Sequence, residues 1–186
     1  MRLYRRAIRA ALLAAGLAPA ALLAGGGDQR AELILNFAKY AHWPQADSPQ
    51  QHGRWSICLV NADQTLLTEF SALDLLELDG LPVELVELAE LEDSGRGANA
   101  AYCHLLYLSQ QLPATHLLAW LAVTRDRPIL TISDYPEFAQ SGGMIEMLPD
   151  DGRYRFDVDY RQVQRGGLKL ASGMLKMART VRTHLP

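Results

Sequence analysis

The chain has 186 residues, 49% of them hydrophobic, and carries 18 Lys and Arg against 21 Asp and Glu, for a formal charge of −3. That length and composition suit one compact domain with a single sizeable core. Nucleic-acid binding, which needs basic surface to displace counterions from phosphates, is disfavoured by the acidic balance.

The chain opens with MRLYRRAIR, which places Arg2, Arg5, Arg6 and Arg9 ahead of an apolar run from Ala10 to Ala24. This is the pattern of a secretory signal. Gly16 and Pro19 interrupt the run, which at about 15 residues falls short of the roughly 20 apolar residues that span a bilayer. Residues 1–24 are therefore read as a cleavable signal peptide, with a retained anchor as the alternative. Cleavage fits after Ala20 or near Ala24. Residues 25–30 then form a linker and 31–186 a single domain. Removing the leader takes away four arginines and no acid, moving the charge to −7. No second long apolar stretch follows, so the mature part is expected to lack a membrane span and to reside in the periplasm.

AELILNFAKYAHWP reads as an amphipathic helix with Leu33, Ile34, Phe37, Ala38 and Ala41 on one face, ended at Trp43 and Pro44. QADSPQQHGR reads as a loop, WSICLV as a short apolar strand and DQTLLTEFSALDLL as a helix. LPVELVEL supplies a second strand from about Val83, and LEDSGRGANA is a polar connection. HLLYLS is the third strand, PATHLLAWLAVT a helix through Leu117, Leu118 and Leu121, and RPILTIS a fourth strand. Continuously apolar strands separated by helices indicate a parallel sheet covered on both faces, a Rossmann-like three-layer α/β/α sandwich. GGMIEML and RYRFDV flank Pro149-Asp150-Asp151-Gly152 and predict a closing β-hairpin at the sheet edge. GLKLASGMLKMARTVRTHL reads as a final helix, with Leu170, Met174, Leu175, Ala178 and Val181 on one side and Arg179 and Arg182 near its negative end.

Cys58 and Cys103 gain meaning from export, because an oxidising compartment preserves paired thiols. A 2-1-3-4 strand order brings their strands side by side and predicts a disulfide, with two buried reduced thiols as the alternative. A loop of roughly 45 residues closed in this way contributes about 4 kcal/mol in the chain-entropy model.

Catalytic patterns are scarce. Gly95-Arg96-Gly97-Ala98-Asn99-Ala100 precedes a strand, whereas a phosphate-cradling turn follows one and opens a helix. No P-loop and no nucleophile elbow occurs. His42, His52, His104, His116 and His184 lack a second ligand at metal spacing. His104 beside Cys103 reads only weakly as a base and thiolate. Asp150, Asp151, Asp157 and Asp159 lack the alternating ligands of a calcium loop, and Glu84, Glu87, Glu90, Glu92 and Asp93 read as a solvated face. No catalytic, cofactor or metal residue is assigned, and the protein is read as a non-enzyme without a cofactor. The remaining cluster, Asn36, Phe37, Lys39, Tyr40, Trp43 and Pro44, has the aromatic and polar composition of binding hot spots. Phe37 is weighed as a core residue, leaving Asn36, Lys39, Tyr40 and Trp43 as partner- or ligand-binding candidates.

In this order NFAKYAHWP, ICLV, CHLLYLS, RPILTISD, FAQSGGMIEMLPDDGRYRFDVDY and GLKLASGMLKMART resemble the YfiR family across nearly all of the mature chain. The aromatic-Trp-Pro end of the first helix and the stretch from Ser133 and Asp134 through Phe138 to Gly142, Gly143, Met144 and Ile145 are the most distinctive pieces. The resemblance implies a small periplasmic α/β protein that binds, as a homodimer, the periplasmic portion of an inner-membrane diguanylate cyclase and inhibits it. Such inhibition lowers cyclic di-GMP and biofilm formation. It also implies a disulfide at Cys58 and Cys103, while a second cysteine pair near the GGMI stretch is missing here, which argues against redox control through that bridge. The alternative is a periplasmic small-ligand-binding or sensor module that partners another sensor or an outer-membrane receptor.

Overall fold

The computed structural model describes residues 30–73, 77–88 and 102–183. The leader, the glycine-containing connection with Glu90, Glu92 and Asp93, and His184 lie outside the described residues.

Helix α1 (Arg30–Tyr40) buries Ala31, Ile34, Leu35, Phe37 and Ala38. It takes in Arg30, which the sequence reading assigns to the linker, and it stops at Tyr40 because β1 (Ala41–His42) turns the chain into a two-stranded ribbon. The segment read as a loop instead holds a 3₁₀ turn (Gln45–Asp47) and helix α2 (Pro49–His52), the latter capped by the Ser48 hydroxyl, which accepts from the Gln51 N–H, and opened by a proline at its first position. Both features favour helix starts.

Strand β2 (Trp55–Val60), helix α3 (Gln64–Ala72) capped by Asp63, the short β3 (Glu77–Leu78) and β4 (Leu81–Leu88) follow. Next come β5 (Leu105–Leu108), α4 (Ala114–Thr124), β6 (Leu130–Ser133) and the hairpin of β7 (Ile145–Asp150) and β8 (Arg153–Asp159). Asp151 and Gly152 form the hairpin's two-residue loop with φ of 51° and 77°. Positive φ at both positions is the backbone twist that joins right-twisted strands.

The carboxy-terminal segment departs from the expected single helix. It contains β9 (Lys169–Leu170), a six-residue helix α6 (Ser172–Met177) and β10 (Thr180–Arg182), preceded by helix α5 (Tyr160–Arg165), which periodicity had not marked. Two contacts outweigh helical propensity here. Ribbon pairing with β1 claims Lys169 and Leu170, and a forked ion pair from Arg179 to Asp157 draws the chain alongside β8, where β10 pairs in parallel. Arg179 therefore serves a carboxylate across the sheet and does not cap a helix.

The main sheet has eight described strands in the order β10-β8-β7-β6-β5-β2-β4-β3. It is mainly parallel, with antiparallel pairing between β7 and β8 and between β3 and β4. The central order β4-β2-β5-β6 is the 2-1-3-4 arrangement expected from the sequence. Alternate residues of the central strands enter different cores. Ile57, Leu59, Leu105 and Tyr107 pack under α1 and α3, and Cys58, Val60, Leu106 and Leu108 pack with Leu117, Trp120 and Leu121 of α4. Leu118, read as part of the apolar face of α4, is instead 54% exposed. Cys58 and Cys103 share the α4 side and form a disulfide with Cα atoms 5.8 Å apart, within the bridging range.

Candidate functional site

Helix α1 runs along one face of the sheet from the carboxyl ends of the strands, where Arg30 lies, to their amino ends, where Trp43 meets Trp55. Different chemistry collects at each end.

At the amino end, Trp43 follows β1 and packs edge-on against Trp55 of β2, with ring centroids 5.4 Å apart, and against His104 at 6.1 Å. The Trp55 indole N–H donates to the Leu78 carbonyl at 3.0 Å. The Trp43 indole nitrogen is buried and has no hydrogen-bond partner among the described residues. His104, 3% exposed, accepts at Nδ1 from the Ser56 N–H at 3.0 Å, so its proton sits on Nε2. His52 packs edge-on against it, with ring centroids 5.2 Å apart.

The candidate residues do not converge in one pocket. Asn36 lines a depression of about 280 Å³ with Glu32, Leu33, Arg153 and Tyr154, whereas Lys39 and Trp43 line another of about 220 Å³ with Ser48, Pro49 and Trp55. Tyr40 is 43% exposed, and Phe37 is a core residue, edge-to-face with Phe156 at 4.9 Å. Asn36, Lys39 and Tyr40, three and four residues apart, form the outer ridge of α1, which continues into the half-buried Trp43.

Burial, reinforced by the positive charges of His52 and Arg54 and only partly opposed by Asp47, lowers the His104 pKa from 6.5 to about 4. A histidine with a depressed folded pKa contributes stability that is full above 6.5, declines as pH falls from 6.5 and is lost below about 4. The shift corresponds to a loss on the order of 3 kcal/mol. Urea unfolding of His104→Asn, which keeps an acceptor for Ser56, should show little slope between these limits where the wild type shows a clear one; equal slopes would contradict this assignment.

At the carboxyl end, Arg30 is 3% exposed and donates from both terminal nitrogens to Asp63, each bond 2.8 Å. Its guanidinium also lies 3.5 Å from Asp134. The Tyr107 hydroxyl and the Gln110 N–H both donate to Asp134 at 2.9 Å, and Glu69 accepts from the Ala31 N–H at 2.9 Å. Burial by itself would weaken the cation, but the hydrogen bonds to Asp63 hold Arg30 well above its ordinary pKa, and the same bonds hold Asp63 below its own. Burial and the adjacent Asp134 push the Tyr107 hydroxyl far up, so it remains a donor. Sequence reading missed this network. The available signals were Asp63 standing before a helix and Asp134 standing directly after a strand.

The distinctive Ser133-to-Ile145 stretch is structural support for that end. The Ser133 hydroxyl donates to the Leu108 carbonyl at 2.5 Å, and Glu146 accepts from the Glu137 and Ala139 N–H groups at 2.9 and 3.2 Å. Gly143 lies against the Phe138 ring, which is fully buried.

Three of the four acidic residues near the hairpin are engaged by arginines: Asp150 by Arg155, Asp157 by Arg179 and Asp159 by Arg161. Among the described residues no group of three or more His, Cys, Asp or Glu is placed to hold a metal ion. Among them, too, no helix is long and apolar enough to cross a membrane.

The family model for YfiR/HmsC-like domains matches residues 28–179. The chain belongs to this family. The YfiR/HmsC-like match starts two residues before α1 and ends at Arg179, so both ends of the α1 ridge and the Arg30 network fall inside it. A comparison with curated proteins gave no significant match.

Proposed function

We propose that this YfiR/HmsC-like protein is an exported, non-catalytic regulator that acts in the periplasm. It binds the periplasmic portion of a membrane-bound signalling enzyme, a diguanylate cyclase by preference, and lowers cyclic di-GMP. The observation that carries the reading is the family match across nearly the whole described domain, since members of the family regulate diguanylate cyclases. The disulfide is consistent with an oxidising compartment.

A protein of this kind acts only through differential affinity, binding the inactive enzyme more tightly than the active one. A complete switch from 99:1 to 1:99 needs about 10⁴-fold preference, about 5.5 kcal/mol. A homodimer can accumulate that preference over two contacts, and we include dimerisation in the proposal.

The contact surface we assign is the α1 ridge of Asn36, Lys39 and Tyr40 with Trp43. Tyr40 offers exposed aromatic area, and Trp43, half-buried edge-on against Trp55, anchors the end of the ridge to the domain. Tyr40→Ala with Lys39→Glu should weaken binding to the cyclase's purified periplasmic region at least tenfold while shifting thermal stability by less than about 0.5 kcal/mol, as surface changes do. Unchanged affinity would remove the ridge from the interface.

A further inference from the structure

Doubly wound sheets take their ligands in the crevice outside the carboxyl ends of the strands, at the point where strand order reverses. In this sheet the reversal lies between β2 and β5, since β4 continues from β2 on one side and β6 from β5 on the other. Asp63 follows β2, Tyr107 lies within β5 and Asp134 follows β6, so three chains of connectivity converge on that point. The group they surround is the Arg30 guanidinium, brought in from the first residue of a helix that precedes all these strands.

We propose that this crevice is a guanidinium-binding site and that Arg30 is its tethered occupant, docking α1 on the sheet as a ligand would. The chemistry is specific to a planar fork. Asp63 takes the two terminal nitrogens on its two oxygens, which a lysine ammonium cannot reproduce. Asp134 adds a second carboxylate, whose Oδ1 is held by Tyr107 and Gln110 while its Oδ2 faces Arg30 at 3.5 Å, so two of its three contacts persist without the occupant. Glu69 holds the next residue's N–H, which sets the helix end so that the side chain enters the crevice. An emptied site therefore keeps two carboxylates without their cation, and its affinity should favour a small guanidinium from solution over ammonium or sodium. In the native chain, Arg30 closes the place where this architecture usually admits ligands.

The test is chemical rescue of Arg30→Ala in the mature chain. Ethylguanidinium at millimolar to tens of millimolar concentration should restore at least half of the melting temperature that the substitution removes, and should restore hydrogen-exchange protection in α1. Methylammonium and sodium chloride at equal concentration should not. Adding Asp63→Asn should abolish the rescue. If Arg30→Ala does not fold, the same titration is read as recovery of near-ultraviolet circular dichroism, and Arg30→Lys serves as the folded reference, expected to be weaker than wild type. Equal rescue by sodium or methylammonium, rescue that survives Asp63→Asn, or no rescue by ethylguanidinium would overturn the proposal.

Discussion

Replacing Arg30 by alanine is expected to destabilise the domain by about 3–5 kcal/mol, the range for removing one partner of a buried ion pair. The cost comes from what remains. Asp63 and Asp134 keep their desolvation but lose the cation that both face, and the Asp134 side chain is only 4% exposed. A change at a solvated arginine would behave otherwise. Arg155, 64% exposed and paired with Asp150, should cost within about 1 kcal/mol when truncated. Urea denaturation of the two variants measures the difference directly. Acid titration supplies the sign. Because Arg30 holds Asp63 below its ordinary value of 3.8, the pair's contribution is present above 3.8 and is lost as pH falls through the lower, folded value. Arg30→Ala should flatten that part of the acid limb, which lies below the range assigned to His104.

Gly143→Ala is the second large effect. A Cβ there would lie 2.1 to 2.4 Å from three atoms of the Phe138 ring, closer than real Cβ contacts come, and the ring is fully enclosed. Either the ring leaves its place or the backbone shifts, and the loss should reach about 3 kcal/mol, at the upper end of overpacking costs. Gly142→Ala provides the comparison. That residue has a φ of 104° but open space around its missing Cβ, so only the backbone penalty applies. Pairing Gly143→Ala with Phe138→Leu should recover part of the loss; no recovery would mean that the ring is not the obstacle.

These two positions also show what the sequence could and could not reveal. Strands β2, β5 and β6 are legible as short, mostly apolar runs, β4 as a β-branched segment interrupted by Glu84 and Glu87, and the PDDG turn by residues that tolerate positive φ. Cys58 and Cys103 are a predictable pair because the export signal favours a disulfide, with the 2-1-3-4 strand order as support, and they are bridged. The carboxy-terminal segment failed because the apolar spacing of Leu170, Met174 and Ala178 satisfies a helix, while the forces that break it, ribbon pairing of Leu170 and the reach of Arg179 to Asp157, are long-range. Arg30 failed for a similar reason. A single arginine after three glycines looks like linker, and its burial depends on carboxylates 33 residues and more downstream. The core reading of Phe37 agrees with its 2% exposure and Tyr40 is 43% exposed, but composition alone does not show that Trp43 is half-buried against Trp55.

The central claim is that the protein, once exported, restrains a membrane diguanylate cyclase, and cellular cyclic di-GMP measured after deletion of the gene tests it most directly. The account predicts a rise in cyclic di-GMP that is reversed by the full-length chain but not by a version lacking residues 1–24, which would be kept from the periplasm. Unchanged cyclic di-GMP on deletion, or equal restoration by the version without the leader, would contradict it.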